Sequence, residues 1–160
     1  METGLVELRV RGIALDGPEG APLVVLEDRV RRRRVEFAAG PFEASAIIME
    51  LEGIAPPRPL THDLLAEIFR EGGFILEEVV LARSRGCVGA RLKYRKGQCR
   101  LVRDVRPADA VALALRLGAP IEAEPSLLEA ERRRIEPLER SRRKPRILIL
   151  DDWKARAVGA

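Results

Sequence analysis

Residues 106–118 read Arg-Pro-Ala-Asp-Ala-Val-Ala-Leu-Ala-Leu-Arg-Leu-Gly, and this stretch indicates which helix the rest of the chain packs around. Its Arg-Pro-Ala-Asp segment is typical of a helix start, and Gly118 is typical of a helix end. Between them, residues 110–117 are apolar almost all round. Because such a helix has no polar face to turn to water, we predict that it is the buried central helix of the protein.

A second stretch repeats this design. Residues 40–47 read Gly-Pro-Phe-Glu-Ala-Ser-Ala-Ile, and their proline, acid, two alanines and final aliphatic residue align with those of residues 106–113. Glu43 and Asp109 both fall at the third helical position, and the alignment predicts a duplicated β-β-α unit. An acid in the first turn also stabilises a helix by about 0.3–1 kcal/mol at a surface. A capping role alone therefore explains each acid taken separately.

A third helix start holds the only histidine of the chain. Residues 58–65 read Arg-Pro-Leu-Thr-His-Asp-Leu-Leu. The prolines favour an extended approach, Thr61 is the predicted N-cap, and Asp63 complements the positive end of the helix dipole. These structural roles leave His62 and Arg58 unexplained. We therefore treat the three helix starts as candidate parts of one site.

Strands fill the chain between these helices. Apolar alternation and short apolar runs predict strands at residues 5–13, 22–27, 35–38, 74–82, 88–95 and 98–104, and a last helix begins at Ser126. The last three of these strands follow one another through short turns, as in an antiparallel meander. We therefore predict an α+β fold, a compact domain of mainly antiparallel strands with helices.

Composition favours a folded protein that does not enter a membrane. Of the 160 residues, 46% are hydrophobic, and no apolar run approaches the ~20 residues that span a bilayer. The N-terminus carries no signal-peptide pattern, so we expect a cytoplasmic protein. Aromatic residues make up only 4%, which disfavours a surface for base stacking. Cys87 and Cys99 stand alone in sequence, and we expect both to be buried, reduced thiols.

The basic charge lies in the C-terminal tail. The net charge is +4, and residues 131–160 hold ten Lys/Arg and five Asp/Glu, which gives +5 for the tail and −1 for the rest. We divide the chain into a domain at residues 1–130 and a basic tail at residues 131–160. The tail is expected either to bind phosphate or to be a solvated helix. It contains a predicted linker at residues 142–145, and its apolar residues 147–150 are expected to add a strand or to dock on a partner.

The side chains of the three helix starts limit the chemistry that the chain can support. One histidine and no close cysteine pair argue against a structural zinc site, and no phosphate-binding P-loop or serine nucleophile elbow is present. Carboxylates such as Glu43, Asp63 and Asp109 suit Mg²⁺ or Mn²⁺, which can activate water. Histidine acts as a base near neutral pH, and arginine grips phosphate with two N–H groups. This inventory fits a nuclease, and it also fits a structural network of ion pairs.

Three motifs resemble those of the bifunctional nuclease domain family, which occurs in bacteria and plants. They are residues 40–47, residues 58–64 and residues 106–114, in the family's order. The resemblance covers residues 5–130 and leaves the tail out. The chain departs from the family where Ala108 replaces the usual serine after Arg-Pro. It also departs in the arginine-led strand at residues 34–37 and at residues 88–90 of the central hairpin.

The resemblance implies an α+β nuclease that acts on DNA and RNA and forms homodimers. The expected site consists of catalytic His62, Asp63, Glu43 and Asp109 and of substrate-binding Arg58, Arg106 and Thr61. In this assignment the histidine is the base, and the three acids hold a Mg²⁺ or Mn²⁺ ion. The alternative is a non-catalytic regulatory module that binds nucleic acid or protein and uses the same polar cluster as a structural network.

Overall fold

The computed structural model describes residues 4–15, 20–30, 33–140 and 146–149. Within these ranges the chain forms both helices and strands, as an α+β protein does. In chain order they are β1 (Val6–Leu15), β2 (Pro22–Asp28), β3 (Arg34–Ala38), α1 (Pro41–Glu52), α2 (Thr61–Glu71), β4 (Phe74–Ser84), β5 (Cys87–Lys96), β6 (Cys99–Val105), α3 (Pro107–Leu117), β7 (Ile121–Ala123), α4 (Pro125–Arg140) and β8 (Arg146–Ile149).

The described strands form one mixed sheet. Its order is β3-β2-β1-β7-β4-β5-β6, and β8 lies beside β1. β7 runs parallel to β4, whereas the other pairings among the described strands are antiparallel. β4, β5 and β6 form the predicted antiparallel meander. The predicted α+β fold with mainly antiparallel strands is therefore confirmed.

Helix α3 lies at the centre of the core. Ala108 and residues 110–114 are at most 5% exposed, and the helix contacts α1, α2 and the strands β3, β4 and β5. The prediction of a buried central helix is confirmed. Although α3 is apolar, it has only 11 residues, and no helix in the described ranges is long and apolar enough to cross a membrane.

Helices α1 and α3 begin and end in the same way. Each has a proline at its first position and ends at a glycine with a left-handed backbone, Gly53 at φ +65° and Gly118 at φ +65°. Glycine suits these ends because it adopts a positive φ without a steric penalty. Each helix also follows three consecutive antiparallel strands, β1–β3 or β4–β6. The duplication of a β-β-α unit stays a prediction.

The predicted N-cap of α2 is wrong. The helix begins at Thr61, so Leu60 occupies the N-cap position. The leucine side chain makes no capping hydrogen bond. The backbone N–H of Leu60 instead donates to Oδ2 of Asp63 at 2.9 Å. The acid at the third helical position therefore provides the capping contact that was predicted for the threonine hydroxyl.

The predicted burial of the two cysteines is also wrong. Cys87 and Cys99 are both exposed and free. Each is the first residue of a strand and follows a hairpin turn, so it lies at a sheet end instead of in the core. The thiols are therefore open to solvent.

The described part of the tail extends the domain. Helix α4 continues to Arg140, and β8 pairs with β1 in antiparallel register, with Leu148 opposite Ile13. The prediction that the apolar tail segment adds a strand is thus confirmed for residues 147–149. The predicted linker at residues 142–145 lies outside the described residues, and the division at residue 130 stays a prediction.

Candidate functional site

Three helix starts meet around one arginine. Arg106 Nη2 lies 2.9 Å from Oε1 of Glu43, and Arg106 Nε lies 2.7 Å from Oδ2 of Asp109. The other oxygen of Asp109, Oδ1, lies 3.0 Å from Nε2 of His62. Glu43 belongs to the first turn of α1, His62 to that of α2 and Asp109 to that of α3. These four side chains form a continuous polar chain, which we call the Arg106 cluster.

The glycine before α1 makes room for this arrangement. A Cβ atom at Gly40 would lie 2.3 Å from Oε2 of Glu43, which is closer than real Cβ atoms approach. The carboxylate of Glu43 therefore folds back over its own N-cap residue, and only a glycine leaves space for it. The Gly-Pro-x-Glu order thus sets the direction of the acid as well as the start of the helix.

The Arg106 cluster is open to solvent through its arginine. The Arg106 side chain is 73% exposed, whereas those of Glu43 and Asp109 are 15% and 30% exposed and that of His62 is 11% exposed. A hydrogen bond from the guanidinium to Asp109 and the charges of Asp109 and Glu43 raise the pKa of Arg106. Arg106 therefore stays cationic, and it has further N–H donors with which it can bind an anion from solvent.

Asp109 determines which ring nitrogen of His62 carries the proton. An ionised carboxylate only accepts hydrogen bonds, so the proton on the His62 ring is placed on Nε2, which faces Oδ1 of Asp109. The other ring nitrogen, Nδ1, is then the acceptor. A carboxylate that holds an imidazole in this way orients the histidine and stabilises its protonated form, as in acid–base catalysis.

Asp63 belongs to a second centre, which we call the Arg116 cluster. Its Oδ1 accepts a hydrogen bond from Arg116 Nε at 2.6 Å. The guanidinium also donates to the carbonyl oxygens of Ala112 at 3.0 Å and Ala46 at 3.1 Å, so it ties α1, α2 and α3 together. The Arg116 side chain is only 5% exposed.

The surroundings of Asp63 favour its charged form. Burial alone raises the pKa of this carboxyl, but the hydrogen bonds from Arg116 and from the Leu60 N–H and the charge of Arg116 outweigh it and lower the pKa below its usual value. Asp63 is therefore an ionised structural partner at neutral pH. Its oxygens are engaged by Arg116 and by the helix start, away from the His62–Asp109 contact.

The three predicted metal ligands are not gathered around a common point. Glu43 and Asp109 both face the Arg106 cation, and Asp63 faces Arg116. Across the described ranges, no group of three His, Cys, Asp or Glu side chains is placed so that it could hold a metal ion. As they are paired here, these residues do not fit a resident ion, and the Mg²⁺ or Mn²⁺ assignment stays a prediction.

Two further predicted site residues lie outside both clusters. Arg58 and Thr61 are exposed, one in the proline-rich approach to α2 and one at its first position. Neither forms an ion pair or side-chain hydrogen bond with the described part of the chain. Both side chains are therefore open to solvent, and their substrate-binding role stays a prediction.

A pocket of about 430 Å³ lies beside the Arg106 cluster. Its walls come from the β3–α1 junction, the β4–β5 hairpin at residues 86–88, the start of α3 and α4. The charged residues that line it are Glu36, Glu43, Arg106 and Glu131. Glu43 is paired with Arg106, and Glu36 and Glu131 also have interaction partners, so the acids of the lining are compensated.

Arg116 is the one residue of these clusters that the sequence analysis missed. Its signal is a charged residue in the last turn of a helix whose residues 110–115 are all apolar. Because a fully buried arginine needs a partner, the pattern predicts a buried acid somewhere in the fold. The partner lies 53 positions away in sequence, so the pattern alone does not identify it.

These observations define a class of protein, an α+β domain whose helix starts gather two acids, a histidine and an arginine beside an open pocket. The family model described as the bifunctional nuclease domain matches residues 24–136. The chain therefore belongs to the bifunctional nuclease domain family, as its three motifs indicated.

Two relatives come from Mycobacterium tuberculosis. They are named "Uncharacterized protein MT1877" in strain CDC 1551 / Oshkosh and "Uncharacterized protein Rv1829" in strain ATCC 25618 / H37Rv. Each is 37% identical to this chain over 123 residues, which cover 76% of this chain and 73% of the relative. Their names record no activity.

Proposed function

We propose that the protein is a nuclease that hydrolyses phosphodiester bonds of DNA and/or RNA at the Arg106 cluster. One observation carries the proposal: Asp109 holds His62 through one oxygen and the exposed Arg106 through the other. A candidate base and an exposed cation are thereby linked through one carboxylate, and the cation lines the neighbouring pocket. Membership of the bifunctional nuclease domain family supports the same reaction.

In this proposal the side chains divide the work of hydrolysis. Arg106 binds the phosphodiester through N–H groups that its acids leave free. His62 takes a proton at Nδ1 from the attacking water, whose oxygen then bonds to phosphorus while the P–O bond to the leaving nucleoside breaks. The leaving oxygen takes its proton from solvent. Arg58 and Thr61 contact the substrate from the approach to α2, and Glu43 keeps Arg106 in position.

Assistance by Mg²⁺ or Mn²⁺ is a separate part of the proposal. An ion would use the oxygens of Glu43 and Asp109 and would have to compete with Arg106 for them. Cleavage assays with each metal and with EDTA test this part directly. Loss of cleavage in EDTA, with recovery on adding the metal back, is expected if an ion takes part. Full activity in EDTA would contradict it.

The experiment that tests the proposal compares purified wild-type protein with His62→Ala and with Glu71→Gln. Each is incubated with plasmid DNA and with single-stranded RNA. Glu71 is an exposed acid at the far end of α2, so its variant controls for purification and charge. Wild-type and Glu71→Gln are expected to cleave, and His62→Ala to lose at least about 100-fold in rate. Equal cleavage by all three would identify a contaminating nuclease and contradict the proposal.

One observation favours a second candidate function, a non-catalytic module that binds nucleic acid or a protein. Oε1 of Glu43 and both oxygens of Asp109 already have partners in Arg106 and His62. A structural ion-pair network would have the same appearance. The module predicts that wild-type protein binds nucleic acid or a partner without cutting, and that His62→Ala lowers stability instead of a cleavage rate.

The proposal includes a homodimer. Leu64, Leu65 and Ile68 lie on α2 within reach of one another and are 51%, 38% and 49% exposed. Contiguous apolar surface of this kind is typical of interaction sites. Light scattering after gel filtration is expected to show two chains, and Leu64→Glu/Ile68→Glu is expected to show one. A wild-type monomer at all concentrations would contradict this part. A cytoplasmic location stays a prediction.

A further inference from the structure

The β4–β5 hairpin carries an arginine in an unusual backbone conformation. Arg85 has φ +48° and is followed by Gly86 at φ +82°. A two-residue hairpin turn with positive φ at both positions favours glycine, asparagine or aspartate, which tolerate it at little cost. An arginine is strained there. The backbone would be better served by glycine, so the exposed side chain of Arg85 is a candidate for a binding role.

The hairpin joins two pockets. On one side, Gly86, Cys87 and Val88 line the pocket beside Arg106. On the other side, Arg83, Ser84 and Arg85 line a second pocket of about 560 Å³. Residues of one hairpin therefore line both pockets.

Two exposed arginines distinguish the second pocket. Its charged lining residues are Arg83, Arg85, Arg91, Asp104 and Glu124, three arginines against two acids. Arg91 and Glu124 form an ion pair at 2.5 Å and neutralise each other. Arg83 and Arg85 are exposed, and neither pairs with a side chain in the described ranges.

We propose that Arg83 and Arg85 form a phosphate-binding subsite for the polynucleotide backbone that flanks the linkage bound at Arg106. The inference rests on the proposed function, since it names where a nucleic-acid substrate extends from the site. A polyanionic chain bound at Arg106 gains further electrostatic free energy at the exposed hairpin arginines. The subsite binds phosphates of the backbone and does not distinguish one base from another.

The variant Arg85→Gly separates a ligand role from a structural one. Glycine relieves the strained φ, so the melting temperature is expected to stay equal or to rise. Binding of a fluorescent single-stranded DNA oligonucleotide, measured by anisotropy at several salt concentrations, is expected to weaken by about 3- to 10-fold. The slope of log affinity against log salt is expected to become less negative by about 0.7, the value for one lost phosphate contact on a single strand.

Arg11→Ala is the matched control. Arg11 is an exposed arginine of β1 that lines neither pocket, and its loss changes the net charge by the same amount. It is expected to bind as wild-type does. Unchanged binding by Arg85→Gly, or an equal loss in Arg11→Ala, would overturn the subsite. Where cleavage is measurable, Arg85→Gly is expected to raise KM and leave kcat unchanged.

The wild-type arm keeps the two proposals apart. If wild-type binds the oligonucleotide but does not cleave it, and Arg85→Gly binds more weakly, the subsite stands and the nuclease proposal fails. If wild-type cleaves and Arg85→Gly binds and cleaves equally well, the nuclease stands and the subsite fails. If wild-type neither binds nor cleaves, both are overturned.

Discussion

The Arg106 and Arg116 clusters use the same chemistry in opposite surroundings. In each, an arginine pairs with a carboxylate from the first turn of a helix. Two adjacent residues of α2 belong to the two clusters: His62 contacts Asp109, and Asp63 contacts Arg116. The side chain of one arginine is 73% exposed and that of the other is 5% exposed.

This difference in exposure predicts a ligand-binding role for the Arg106 cluster and a stabilising role for the Arg116 cluster. An ion pair at the surface contributes about 0–1 kcal/mol to folding because water screens it. Removing one partner of a buried pair costs about 3–5 kcal/mol because the other charge is left without compensation. We therefore expect substitutions in the Arg116 cluster to unfold the protein and those in the Arg106 cluster to change its activity.

The largest expected effect is on folding. Arg116→Met should lower the free energy of unfolding by about 3–5 kcal/mol, because Asp63 and the carbonyls of Ala46 and Ala112 lose their donor. Urea denaturation followed by circular dichroism measures it. Arg100→Met, at a side chain that is 79% exposed, serves as control and should change little. A loss below about 1 kcal/mol in Arg116→Met would show that the buried pair does not hold the helices together.

The next effect is on catalysis. Asp109→Asn should lower the cleavage rate by about 100-fold, since an amide neither fixes the His62 tautomer nor stabilises its protonated ring. It removes little buried surface, so its melting temperature should stay close to that of wild-type. The readouts are the cleavage rate and the melting temperature, because loss of positioning lowers the first and leaves the second unchanged. An unchanged cleavage rate would remove Asp109 from the mechanism.

The pH dependence of folding should follow Asp63. Its pKa is lowered in the folded state, so its stabilising contribution is present above the unfolded value of 3.8 and is lost as pH falls through the lower folded pKa. Asp63→Asn keeps an oxygen that can accept from Arg116, so it should lower the free energy of unfolding by less than Arg116→Met, about 1–2 kcal/mol at neutral pH. The difference from wild-type should shrink below about pH 4. A difference that stays constant into strong acid would contradict this assignment.

The smallest expected effect comes from the glycine before α1. Gly40→Ala should fold normally, because the clash is with the flexible end of Glu43 and not with the backbone. It should displace that carboxylate from Arg106 and lower the cleavage rate by several-fold. Gly4→Ala, at a position where an added Cβ meets nothing within 4 Å, is the matched control. Wild-type activity in Gly40→Ala would mean that the position of Glu43 does not matter.

The sequence predicted the Arg106 cluster because repeated motifs set its parts. Proline and acid at fixed helical positions placed Glu43 and Asp109 alike, and the single histidine drew attention to α2. The structure places the neighbouring Asp63 in the Arg116 cluster, since consecutive helical residues point about 100° apart, and its catalytic and metal-binding assignment stays a prediction. The direction of each side chain was decided by partners far away in sequence, above all by Arg116.

The two clusters are compared most directly by measuring the cleavage rate and the free energy of unfolding of Arg106→Ala, Arg116→Met and the wild-type protein. Arg106→Ala is expected to keep its free energy of unfolding within about 1 kcal/mol of wild-type and to lose at least about 10-fold in cleavage rate. Arg116→Met is expected to lose about 3–5 kcal/mol of stability. If Arg106→Ala cleaved as fast as wild-type and unfolded as easily as Arg116→Met, the exposed cluster would be structural and the proposed site would be wrong.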